Sequence, residues 1–156
     1  MGTSTNAYLA YGYDLGGDDG WKVAEIGEWG ELQLPWLSAG EDGGSEDEDE
    51  DSDFPTEAML RLAREAGHDV EFDFQAEDKI GLRFESHCSG SSPMWLLAAK
   101  VVTAHRGYPE TIDFAALERE RAERRWDERL IDACRVLGIT PTQGTPSWVL
   151  CSYWSS

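Results

Sequence analysis

The stretch Phe84-Glu-Ser-His-Cys-Ser-Gly-Ser-Ser-Pro-Met-Trp-Leu-Leu-Ala-Ala-Lys100 limits what this chain can fold into more than any other. Its second half opens the most hydrophobic run in the sequence, Met94 to Thr103, which is apolar on both faces. Val101-Val102-Thr103 is β-branched, so the run predicts a central strand covered on both sides. Just upstream, Ile80, Leu82 and Phe84 point one way while Arg83, Glu85 and His87 point the other. That alternation predicts a strand with one wet face. Ser89-Gly-Ser-Ser-Pro93 is turn-forming, so the two strands form the central hairpin of a sheet.

The other elements are placed around that hairpin. Ala7–Asp14 reads as a first strand with aromatics on both faces, ending in a loop at Leu15–Gly20. Trp21–Glu25 and Glu31–Leu34 read as short strands about a Gly27–Gly30 turn. A helix opens at Phe54, carries Ala58, Met59, Leu62, Ala63 and Ala66 at helical spacing, and stops at Gly67. Val70–Phe74 alternates briefly and is left as strand or loop. Asp113 is a good N-cap for one long helix, with Phe114, Leu117, Trp126, Leu130, Ala133, Cys134 and Leu137 as its buried stripe and Gly138 as its stop. Ser147–Trp154 predicts a last strand tied into the sheet, bulky on both faces. The expected fold is α+β: one mixed, mostly antiparallel sheet with two helices packed on it, in a single domain over residues 1–156.

Residues 38–53 interrupt this pattern. They include Glu41, Asp42, Glu46, Asp47, Glu48, Asp49, Glu50, Asp51 and Asp53, with only Gly and Ser between them. Like charges and glycine cannot bury enough surface to offset the entropy of ordering, so a disordered acidic loop is expected. The alternation at Asp47, Asp49, Asp51 and Asp53 resembles the start of a calcium loop. Neither frame supplies the Gly at position six or the Glu at position twelve that such a loop needs. Three readings stay open: a solvated linker, weak non-specific divalent binding, and a lure for a basic groove. Duplex DNA carries a charge every ~1.7 Å of its axis, an extended acidic chain one every ~3.4 Å, so the match is to a single strand.

Charge decides which partners are plausible. Thirteen Lys and Arg stand against thirty-one Asp and Glu, a net charge of -18. Such a chain repels nucleic acid and anionic membranes and attracts basic proteins. Three widely spaced cysteines argue against a disulfide framework. The first residues lack the basic and apolar regions of a signal peptide, and no apolar run is long enough to span a bilayer. A cytoplasmic setting is expected.

Candidate chemistry is sparse. Arg83, Glu85 and His87 share a sheet face and form the alternative site, for a small molecule, a nucleotide or an enzymatic reaction. His87 and Cys88 point to opposite faces and cannot act together as base and nucleophile. His68 and His105 have no metal-ligand spacing around them. Cys134 and Cys151 read as core. Asp14-Leu-Gly-Gly-Asp-Asp-Gly20 lacks the Lys-Ser/Thr of a phosphate loop. The arginines of the long helix alternate with acids and read as a salt-bridged face. No catalytic residue, cofactor or metal is expected.

Asn6-Ala-Tyr-Leu-Ala-Tyr-Gly-Tyr-Asp-Leu-Gly-Gly17, Phe84-Glu-Ser-His-Cys-Ser-Gly90, Pro93-Met-Trp-Leu-Leu-Ala-Ala-Lys100 and Trp148-Val-Leu-Cys-Ser-Tyr-Trp154 carry a resemblance. They are similar to the core motifs of a family of small acidic proteins of actinobacteriophages and Streptomyces-type hosts, a family with no established activity. The resemblance covers most of the chain outside the acidic loop and implies a phage or prophage accessory protein. Such proteins often bind and disable host or competitor machinery. The leading expectation is therefore a non-enzymatic inhibitor or modulator of a host or defence protein with a basic, nucleic-acid-binding surface. A structural or assembly role is the remaining alternative.

Overall fold

A computed structural model describes residues 4–17, 20–37, 54–88 and 93–155. The acidic stretch from Glu41 to Asp53 lies outside the described residues, and so do the turns at 18–19 and 89–92. The elements run β1 (Ser4–Gly17), β2 (Gly20–Trp21), α1 (Phe54–Glu65), α2 (Asp73–Ile80), β3 (Arg83–Cys88), β4 (Pro93–His105), α3 (Phe114–Glu123), α4 (Trp126–Leu137) and β5 (Ser147–Ser155). The α+β class is as expected. All pairings of the five-stranded sheet are antiparallel.

β1 is the axis of the sheet. One edge pairs with β4 along its whole length; the other pairs with β5 and then with β2. β3 pairs with the far side of β4 from Arg83↔Ala98 to Cys88↔Pro93, giving the expected antiparallel pair, but with β3 at the end of the strand order rather than at its centre. β1 runs past its expected end because its glycines let strands approach. A Cβ on Gly12 would collide with the Leu97 carbonyl, and one on Gly17 with the Pro93 carbonyl. Register shifts at Tyr11/Gly12 and Asp14/Gly16 mark bulges, which bend and coil a sheet.

The helices pack on one face only. Tyr11, Tyr13, Leu15 and Leu97 of the sheet join Phe54, Met59, Leu62, Trp126, Leu130 and Leu137 in one core. The other face carries Tyr8, Ala10, Leu96 and Ala98, all buried, with Val101, Val149, Cys151 and Tyr153 against them. The sheet covers this second face by curling on itself until β3 and β5 approach. Tyr8 stacks on Tyr153 with ring centroids 4.5 Å apart, and its hydroxyl donates to the Ser86 carbonyl on β3.

Four helices stand where two were expected. The long C-terminal helix breaks after Glu123, and Arg125 starts α4 in the left-handed region at φ 53. The cause is helical geometry. Leu117 and Trp126 are nine residues apart, and at roughly 100° per residue a straight helix would set them on opposite faces. Both are buried, so the helix must break between them. The extra helix α2 begins inside the Val70–Phe74 segment and takes in Ile80, which was expected in a strand. Its first turn is held by Gln75, whose Oε1 accepts from the backbone N–H groups of Glu71 and Phe72 at 3.0 and 3.1 Å. The two short strands before residue 35 shrink to β2 and isolated bridges, Val23↔Pro141 and Ile26↔Leu32, about the expected turn.

Candidate functional site

Arg83, Glu85 and His87 do fall on one face, the one the sheet curls around: Glu85 and His87 are half-buried there, while Arg83 stays exposed. The register sets Glu85 beside Leu96, and Leu96 beside Asp14, in a row across β3, β4 and β1. His87 lies next along β3, opposite Met94. Arg83 is bound to Glu85 through Nε at 2.6 Å and also through Nη2. Lys22 is bound to Asp14 at 2.8 Å. Two ion pairs therefore flank a half-buried imidazole.

Burial lowers the pKa of His87 from its usual 6.5; Asp14 raises it and Lys22 lowers it further. Desolvation disfavours a charged imidazole, which here has no hydrogen-bond partner among the described residues. Tyr8 is pushed well above the ordinary tyrosine value by burial and then by the Glu85 carboxylate. A phenol held neutral this firmly is a hydrogen-bond donor and no base. Glu85 is engaged by Arg83, so among the described residues the face has no free acid and base in mutual contact. It can orient a polar ligand, but it has not assembled a nucleophile and base.

Sequence reasoning missed Tyr8, Asp14 and Lys22 as neighbours of this group, because the curl brings them together. The even spacing of Tyr8 and Asp14 on β1 was the available signal. The side chain of Cys88 lies outside the described residues. Cys134 is buried as expected, and burial pushes its thiol up to about 12. Cys151 is only half-buried, at the margin of the curled face, rather than core. Among the described residues no group of three His, Cys, Asp or Glu could hold a metal ion. No helix among them is long and apolar enough to cross a membrane.

The arginines of α3 and α4 form the expected salt-bridged face. Arg121 pairs with Glu118 and Asp127, Arg124 with Glu120, Arg125 with Glu128, and Arg135 with Asp132. Lys100 reaches Glu120 from β4. Among the described residues seven of the thirteen Lys and Arg are thus held in ion pairs, and the carboxylate excess is left over.

No family model matches the chain, and no curated protein or solved structure is significantly similar to it. Its function must be argued from its own residues.

Proposed function

We propose that the chain is a non-enzymatic accessory binding protein of the phage type, acting in the cytoplasm of a bacterial host. It inhibits or modulates a host or defence protein that has a basic, nucleic-acid-binding surface, in part by acidic mimicry. The observation that carries this reading is the charge balance. The net charge is -18, and Lys22, Arg83, Lys100, Arg121, Arg124, Arg125 and Arg135 each sit in an ion pair. The surplus carboxylates set the outward field, and nine of them fall between Glu41 and Asp53. Such a field speeds encounter with a basic cleft.

The test is capture of partners from host lysate, followed by kinetics with the purified partner. Replacing Glu41, Asp42, Glu46, Asp47, Glu48, Asp49, Glu50, Asp51 and Asp53 by Gly or Ser should slow association far more than it speeds dissociation. The difference should fade as salt shortens the Debye length from ~10 Å at 0.1 M to ~3 Å at 1 M. Wild-type association by the neutralised chain at low salt would reduce the stretch to a linker.

A second reading is favoured by one observation, the half-buried His87 between two ion pairs with no hydrogen-bond partner among the described residues. On this reading the Arg83, Glu85 and His87 face binds a small polar molecule or nucleotide. Loss of a measured ligand affinity in His87→Ala, with the fold intact, would promote it over the first.

A further inference from the structure

The helix layer stops before the end of the sheet. Its last covered row is Trp148–Tyr11–Lys100, set by the registers of β5, β1 and β4. α3 and α4 hold each member: Glu118 accepts from Trp148 Nε1 at 3.2 Å, Arg121 lies over the Tyr11 ring, and Glu120 pairs with Lys100. The next row on that face is Leu150–Leu9–Val102, and after it comes the small row Ser152–Ala7–Ala104. Large side chains followed by small ones leave a step. Ile112, on the approach to α3, and Phe114, its first residue, wall it in, and with Leu150, Leu9, Val102, Ala7 and Ala104 they line a hollow of about 280 Å³. Leu150 is 77% exposed and Phe114 59%. Leu150 and Phe114 are not isolated: with Leu9, Val102 and Ile112 they make one contiguous apolar patch, and such a patch is a mark of an interaction surface.

The carboxylate lining the hollow is Glu110, which has no ion pair among the described residues. A second copy of the chain is a poor occupant, because each carries a charge of -18 and like fields repel. A basic segment gains from the same field. The hollow is at the small end of ligand sites, which begin at roughly 300 Å³, and suits a single bulky side chain. We propose that this shelf anchors the partner: it takes one large apolar side chain from a basic polypeptide segment, with a neighbouring cation reaching Glu110. Interfaces draw most of their affinity from such central anchors, while rim charges act on encounter. This inference rests on the reading of a basic partner and gives that partner its second, short-range contact.

The test uses the full chain and a lysine-flanked peptide with one central tryptophan, beside the same peptide with alanine in its place. Binding is followed by chemical-shift changes of the Leu9, Val102 and Leu150 methyls. The tryptophan peptide should bind at least about tenfold more tightly than the alanine peptide and shift those methyls. Leu150→Thr and Phe114→Ser should remove that advantage while leaving the Tm near wild type, since both side chains are exposed and threonine suits a strand. Equal binding of the two peptides, or shifts elsewhere on the molecule, overturns the shelf. So does a wild-type dimer dissolved by Leu150→Thr, which would give the surface to a second copy. Salt-sensitive binding of both peptides, untouched by the two substitutions, rejects the shelf and leaves the basic-partner reading standing. If neither peptide binds at low salt, both readings fall.

Discussion

The hydroxyl of Tyr11 donates to Oδ1 of Asp127 at 2.9 Å, joining the middle of β1 to the start of α4 across 116 residues of sequence. Arg121 holds the same carboxylate with two bonds of 2.9 Å and stacks its guanidinium 4.8 Å above the Tyr11 ring. Trp126 and Trp148 both pack against Tyr11 and meet each other edge-on, with ring centroids 6.2 Å apart. One carboxylate thus pins two helices to the sheet.

Asp127→Asn should therefore cost on the order of 1 kcal/mol at neutral pH, the worth of a charge-assisted bond discounted for partial exposure. The pH dependence has a definite sign. Arg121 first, and Tyr11 next, hold the Asp127 carboxyl below its ordinary value of 3.8. Its stabilisation is complete above that value and is lost as pH falls through the lower folded one. Urea midpoints measured from neutral pH down to pH 2 should show a shallower acid limb in the mutant. Parallel limbs would place the strain of acidification elsewhere.

His87 also falls in stability on the acid side, but nearer neutrality. Its folded pKa is depressed by burial, so its contribution is full above the ordinary 6.5 and is lost as pH drops through the folded value. His87→Gln should lessen the loss of stability between neutral pH and about pH 5. A chemical-shift titration of the imidazole provides the direct check. A midpoint at the ordinary value would mean that the ring is solvated and the curl is open there, and one above it that Asp14 outweighs burial.

Tyr8→Phe keeps the stack on Tyr153 and removes the donor to the Ser86 carbonyl. The expected cost is ~1 kcal/mol, with faster amide exchange confined to β3 and β5. Exchange that rises across the whole sheet would mean that the bond guards global stability rather than the seam between those strands.

The helix break makes two opposed predictions. Trp126 is 3% exposed, so Trp126→Ala should lose about 3–5 kcal/mol. Arg125→Gly should gain about 0.5–1 kcal/mol, because a non-glycine residue at φ 53 is strained and its ion pair to Glu128 is exposed. A denaturant series on both variants suffices. A loss in Arg125→Gly would show that the arginine contributes more than its backbone strain costs.

The residues that spoke for themselves are those whose pattern is local. The apolar run of β4, the stripe and stop of α1, the turn at Gly27–Gly30 and the antiparallel hairpin of β3 on β4 were legible, because periodicity and turn chemistry report backbone dihedrals directly. The break at Arg125 was legible too, in the half-turn mismatch between Leu117 and Trp126, but only if both are required to be buried at once. Phe72 and Phe74 alternate like a strand and yet flank the start of α2, both exposed and stacked on each other at 5.5 Å. Alternation over so few residues cannot separate a strand from a helix start. Which sheet face would be wet could not be read at all. Arg83, Glu85 and His87 alternate with apolar residues as any solvated face does. Glu85 and His87 are half-buried because bulges in β1 and the glycines that admit neighbouring strands curl the sheet towards them. Leu150 looks like core by composition and stands open because the helices end one row before it. Covering a face is a sum over every element packed near it, and that sum exists only once the chain has closed on itself.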